Sequence, residues 1–192
     1  MNRIAVKFSS LVILLVLAAG AAFAQVATAN RDEVLRNFSD AADKAVRLAE
    51  AMPAVKYTWR PMEGVRSVSE VYLHIAAGNF SISRRFGAKL PEGVQINDEF
   101  EKQTTDKAKV VEILKQSVEH VKQAMNNLQD ADLTKTSPWF GGKQATYREI
   151  MSFLASHTHE HLGQSIAYAR MNNVTPPWTE EAQQRAPAKK QP

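Results

Sequence analysis

The chain has 192 residues, with 24 Lys and Arg against 20 Asp and Glu, and it contains no cysteine. The missing cysteine excludes disulfides, a thiolate nucleophile, cysteine metal ligands and the thiol that bacterial lipid anchoring modifies. Both charge signs are interspersed with no basic stripe, so nucleic-acid binding is disfavoured, because it draws on a concentrated cationic face.

Residues 1–24 read as a secretory signal peptide. Arg3 and Lys7 stand without an acid in the first ten residues, and Leu11 to Ala24 is then an unbroken run of apolar and small residues ending in Ala22-Phe23-Ala24. That order of charged start, apolar stretch and A-x-A site is the export pattern. The run is also short for a membrane span, which takes about 20 apolar residues. The expectation is cleavage after Ala24, a mature chain from Gln25 that is periplasmic or secreted, and no stable membrane anchor. Residues 25–180 are then enough for one domain, which at this size buries roughly 70% of its unfolded surface and needs no covalent staple.

Proline divides the rest. Pro53, Pro61, Pro91, Pro138, Pro176 and Pro177 bound intervals of about 30–52, 67–87, 104–128 and 146–173 in which nothing breaks a helix. Asn30 with Glu33, Ser67 with Glu70 and Thr146 with Glu149 have capping-box spacing, and Thr104-Thr105-Asp106 opens the third interval. Val34, Leu35, Phe38, Ala41, Ala42, Ala45, Leu48 and Ala49 recur at helical spacing in the first interval. Val110, Val111, Leu114, Val118, Val121, Met125 and Leu128 do so in the third. The pattern predicts an all-α four-helix bundle. It would have a long crossover loop from Ala88 to Gln103 and a short hairpin over 138–146 around Gly141-Gly142. Residues 181–192 lack an apolar period and read as a disordered tail. A homodimer is compatible with this layout.

The fourth helix carries the informative residues. With Ile150 as origin and a turn of about 100° per residue, Phe153, Leu154, Tyr168 and Met171 define its apolar stripe, and His157 and His161 fall in the middle of it. A lone histidine there is ordinarily a hydrogen-bonded core residue. Two at i and i+4 point at one place, which is a familiar way to hold a divalent metal. On the second helix His74 flanks the stripe of Val68, Val71, Ile75, Ile82 and Phe86. Gly78 follows one turn later, where a helix loses about 1 kcal/mol relative to Ala. It serves either close helix packing or room for a metal or substrate. His120 and His159 lie off their stripes and are expected to be exposed. Glu160, at the edge of the fourth stripe, is a weak candidate base that reads better as a solvated side chain. Gln164 and Tyr168 could support the ligands or contact substrate, or be ordinary core polar groups.

These stretches resemble the DinB/YfiT-like superfamily of bacterial four-helix bundles. The resemblance rests on SVSEVYLHIAAGNF with His74, SHTHEHLGQSIAYARMNNVTPPW with His157 and His161, and the helix entries WRPMEGVRS and FGGKQATYREI, and it covers about 30–178. It implies that His74, His157 and His161 bind one divalent ion, zinc by default, with nickel, iron or manganese as alternatives. Two positions depart from the common family form: Leu162 replaces a basic residue, and Asn79 stands near a position that is often acidic. Relatives with known chemistry include thiol-dependent transferases and isomerases, so the implied activity is metal-dependent hydrolysis or thiol-dependent transfer on a small-molecule substrate of unknown identity. The alternative is a non-catalytic metal-binding structural or stress bundle.

Overall fold

The computed structural model describes residues 31–185. The signal-peptide segment 1–24, the cap at Asn30 and residues 186–192 of the expected tail lie outside the described residues. Five helices follow in order: α1 over 31–51, α2 Val68–Ser83, α3 Lys107–Asn126, α4 Tyr147–Met171 and α5 Pro177–Arg185. Helices α2, α3 and α4 each start where a local capping group satisfies free N–H donors. Ser67 and Glu70 cap α2 reciprocally, Thr146 and Glu149 do the same for α4, and the Asp106 carboxylate accepts from Lys109 N at 2.9 Å to open α3. None of the described helices is long and apolar enough to cross a membrane.

Helix α2 is the centre of the bundle. Both α3 and α4 pack on it, and Val68, Tyr72, Leu73, Ile75, Ala76 and Phe80 are buried over about half of its circumference. Helix α1 contributes Phe38, Ala41, Ala42, Ala45, Leu48 and Ala49, and α3 contributes the expected stripe from Val110 to Met125. The hairpin before α4 also forms: β1 Thr136–Pro138 pairs antiparallel with β2 Gln144–Thr146, with Thr136 opposite Thr146. Gly141 and Gly142 turn it with φ of 67° and 72°, a left-handed backbone that side chains with a Cβ disfavour.

Three expectations are corrected. The buried face of α4 comprises Ile150, Met151, Leu154, Ala155, Thr158, His161, Leu162, Ser165, Tyr168 and Ala169. Its centre is therefore turned by roughly 70° from the expected stripe, and Phe153 and Met171 are 41% and 60% exposed. The helix touches α2, β2 and the 3-10 turn Asp130–Thr134 at once, so its apolar face is wide and offset. His120 is half-buried, not exposed: its Nε2 lies 3.1 Å from Ser83 Oγ and its ring 5.4 Å from that of Phe80. The end of α2 covers this second side of α3. Residues 181–185 belong to α5, not to a disordered tail; Pro177 starts that helix, Trp178 packs on the core, and Glu181 pairs with Arg47 of α1. The expected long connection from Ala88 to Gln103 packs on the bundle, with Phe100 against Ala76 and Phe80 and with Leu90, Val94 and Ile96 beside them.

Candidate metal centre

His74, His157 and His161 meet between α2 and α4, with one ring nitrogen from each within 4.8 Å of the others. Ring centroids are 4.4 Å apart for His74–His161, 4.6 Å for His157–His161 and 5.1 Å for His74–His157. The two helices run antiparallel, which sets His74 against His161 and brings Gly78 one turn further along against His157. A Cβ on Gly78 would stand 2.4 Å from His157 Cε1 and 3.0 Å from its Nδ1. The glycine is thus both a close-packing residue and the gap that admits an imidazole. Gly78→Ala should therefore separate two properties. Helix propensity favours Ala by about 1 kcal/mol, which offsets much of the cost of moving the His157 ring, so the melting temperature of the metal-free protein should change little. The displaced His157 should weaken zinc affinity at least tenfold in a competition titration with a chelating dye.

The orientation of two rings is settled by their outer nitrogens. The Glu101 carboxylate can only accept, so the His74 Nδ1–H donates to its Oε1, at 2.5 Å, and leaves the Nε2 lone pair facing inward. Arg66 holds that carboxylate in turn through Nε and Nη2, at 2.5 and 3.1 Å. The His161 Nδ1–H donates to Gln164 Oε1 at 2.9 Å. Gln164 Nε2 donates to the Tyr168 hydroxyl at 3.1 Å, and Tyr168 donates to the Arg66 carbonyl at 3.1 Å. That last bond fixes the sense of the whole relay, since a hydroxyl that donates its one hydrogen is left to accept from the amide. Such outer hydrogen bonds select the tautomer and aim the ligand nitrogen. His157 has no equivalent among the described residues: its Nδ1 is buried with none of them as partner, and its Nε2 stands 3.2 Å from His74 Nε2.

The donor set fits a divalent ion. Two imidazole nitrogens bound to one tetrahedral ion at about 2.0–2.1 Å stand roughly 3.3 Å apart, close to the 3.2 Å seen here. Burial pushes the pKa of His157 down to about 4, helped by the positive charge that His161, His74 and Arg66 would place beside its protonated form. Burial also lowers His74, against the opposing bond from Glu101. Burial alone would raise Glu101, but the hydrogen bonds from Arg66 and His74 outweigh it and hold the carboxylate below its ordinary value. Near pH 7 His74 and His157 are neutral and Glu101 is charged, which is the protonation pattern that ligation requires.

Of the other residues singled out from sequence, Gln164 and Tyr168 are in the relay just described. Glu160 is exposed and bonds to none of the described residues, and His159 is exposed, bonding only back to Ala155 O within its own helix at 2.9 Å. Asn79 is fully buried on the α3 side, donating to Ser117 Oγ at 3.0 Å, and Leu162 is a core residue, so neither departure from the family form falls within the histidine group. Sequence reasoning missed Glu101 and Arg66. Glu101 is one acid among Asp98, Glu99 and Glu101 in a stretch without periodicity. The available signal was its neighbour Phe100, a lone aromatic in a polar run that had to dock somewhere.

The group lies between two unlike surfaces. Towards the end of α4 is a cleft of about 540 Å³ lined by Arg60, Arg66, Glu70, Glu101 and Gln164. Towards its start, Phe153 stacks on His157 with centroids 6.4 Å apart and planes at 24°, and Trp139 and Phe140 from the hairpin continue the aromatic surface.

Comparison with known proteins finds the sequence pattern of the DinB superfamily over residues 37–165, well over half of the chain. A DinB-like protein of Bacillus cereus ATCC 10987 shares the fold with a TM-score of 0.66 at 16% identity, covering 76% of this chain and 95% of its own. A DinB-like protein of Bacillus subtilis, YjoA, does so with a TM-score of 0.59 at 22% identity, covering 74% and 93%. No curated protein matches.

Proposed function

The chain belongs to the DinB superfamily, and we propose that it is a metal-dependent enzyme whose one divalent ion is held by His74, His157 and His161. The observation that carries this reading is the convergence of the three imidazoles, two of them with their outer nitrogens tied to Glu101 and Gln164 so that Nε2 faces the others. When bound, such an ion has a coordination position left for water or substrate, polarises a carbonyl, and lowers the pKa of water or a thiol toward about 7. That chemistry suits hydrolysis or thiol-dependent transfer. Zinc is the default for three neutral imidazoles, and nickel, iron and manganese are the alternatives.

The chain's own residues do the rest. Glu101 fixes the His74 tautomer and supplies a negative charge beside the ligands. Gln164 and Tyr168 hold His161 against rotation, and Gly78 and Phe153 pin the His157 ring. Metal analysis of the purified full chain should find one divalent ion per molecule. Protein that carries none and takes up none of zinc, nickel, iron and manganese would sink the reading. One observation favours the non-catalytic alternative, in which the ion clamps α2 to α4: Glu101, the carboxylate at the group, is already committed to His74 and Arg66. No described residue is thereby left as an obvious free base.

We also propose that the protein is exported. Export is supported by Arg3 and Lys7, the 14-residue apolar run from Leu11 to Ala24, and the A-F-A ending. N-terminal analysis of protein recovered from the periplasm should give Gln25 first. A membrane-bound product that keeps Leu11 to Ala24 would contradict it.

A further inference from the structure

Phe140 and Phe153 are 64% and 41% exposed, although both are large aromatics. They lie in one place: with Trp139 they form a triangle of ring centroids 4.6, 5.1 and 6.0 Å apart, and Phe153 stacks on His157. The hairpin tip is held in this position. Trp139 N donates to Lys143 O at 2.8 Å, Arg85 Nη1 donates to Pro138 O at 3.2 Å, and the left-handed Gly141 and Gly142 close the turn. Phe140 is thus presented outward by a braced backbone. The antiparallel helices give the molecule an axis: charged cleft at Gln164, histidines at 161 and 157, aromatic surface at 153. At about 1.5 Å per residue, the step from Gln164 to Phe153 spans roughly 16 Å.

We propose that Trp139, Phe140 and Phe153 form the apolar subsite of the three-histidine centre and receive the aryl or short alkyl group of a substrate whose polar, metal-binding group lies at the histidines. The inference rests on the metal-centre reading above. The area argues for a small occupant. Each aromatic side chain offers about 150–250 Å² in full, so the exposed portions together fall far short of the roughly 800 Å² per partner that a stable protein interface buries. The continuous contact of Phe153 with His157 argues for an occupant shared with the centre, because an apolar group on these rings lies next to whatever the imidazoles hold.

The test uses the full chain loaded with one equivalent of zinc and two probes with the same chelating head, acetohydroxamate and benzohydroxamate, measured by isothermal titration. Benzohydroxamate should bind at least tenfold more tightly. In Phe140→Ser and Phe153→Ala the advantage should fall below threefold, with acetohydroxamate binding unchanged in Phe140→Ser. Any intrinsic difference in zinc affinity between the two probes cancels in that comparison. Phe140→Ser keeps the test sound even if Phe153→Ala disturbs His157, since the ring contacts of Phe140 among the described residues are with Trp139 and Phe153. Equal binding of both probes by wild type, or an advantage that survives Phe140→Ser, overturns the proposal. So does a Phe140→Ser variant that only turns a dimer into a monomer in sedimentation, which would assign the surface to a second copy of the chain. Failure of zinc uptake defeats the metal-centre reading itself, whereas zinc and acetohydroxamate binding without the aryl gain defeats this inference alone.

Discussion

The double substitution His157→Ala/His161→Ala should abolish stoichiometric metal uptake and, with it, the response of the melting temperature to a chelator. Metal binds the folded state and not the unfolded one, so at a hundredfold excess over its Kd it stabilises by about 2.7 kcal/mol. For a domain of this size each kcal/mol moves the melting temperature by about 2–4 °C. Wild type should therefore melt roughly 5–10 °C lower in chelator, and the double variant should melt alike with and without it. Its metal-free fold should survive. His161 gives up its bond to Gln164 and His157 its Nε2 contact with His74, while the buried His157 Nδ1, which has no partner among the described residues, is removed as well. Each buried hydrogen-bond partner lost costs about 1–3 kcal/mol, part of which the relief of the His157 Nδ1 offsets. His159→Ala is the control: an exposed residue whose loss should change stability by no more than about 0.5 kcal/mol. Differential scanning calorimetry with element analysis reads all of these, and a double variant that still binds metal would dismiss the centre.

Acid should strip the site and destabilise the metal-free protein over a defined window. The unfolded value for His157 is 6.5 and the folded value is about 4, with burial the largest cause. Between those values the unfolded chain binds more protons, so stability rises with pH there. The contribution is complete above about pH 6.5 and is lost as pH falls toward 4. At 1.36 kcal/mol per unit it is at most about 3 kcal/mol, and coupling with His74, also lowered by burial, spreads it over both residues. Glu101 acts in the same direction but lower: its folded value is depressed, so its contribution is present above the unfolded value near 4.5 and is lost as pH falls through the folded one. Urea midpoints in chelator at pH 7.5, 5.5 and 4.5 should decline steeply for wild type and less for His157→Ala. Equal slopes would remove His157 as the cause. With metal present, protonation competes with ligation, and the ion should leave below about pH 6.

What the sequence determined by itself was local. Ser67 with Glu70, Thr146 with Glu149 and Asp106 mark helix starts because a cap bonds to a backbone N–H within its own first turn. The α3 stripe follows from the helical period alone. The His157–His161 pair was legible for the same reason, because a spacing of four fixes both rings on one side of one helix. His74 and Gly78 could be put on the second helix, and the family resemblance joined them to the pair. Only the tertiary structure decided the rest. A helical wheel assumes one covered face, whereas α4 is covered from several sides. Its buried face is therefore turned away from the expected stripe, leaving Phe153 and Phe140 exposed together beside His157. His120 was misjudged on the same assumption. Glu101 and Arg66 reach the histidines from the crossover loop and the entry to α2, 27 residues of chain separating Glu101 from His74. No period or cap encodes that approach. The docking of Phe100 against Phe80 sets it, and that contact exists only once the bundle has closed.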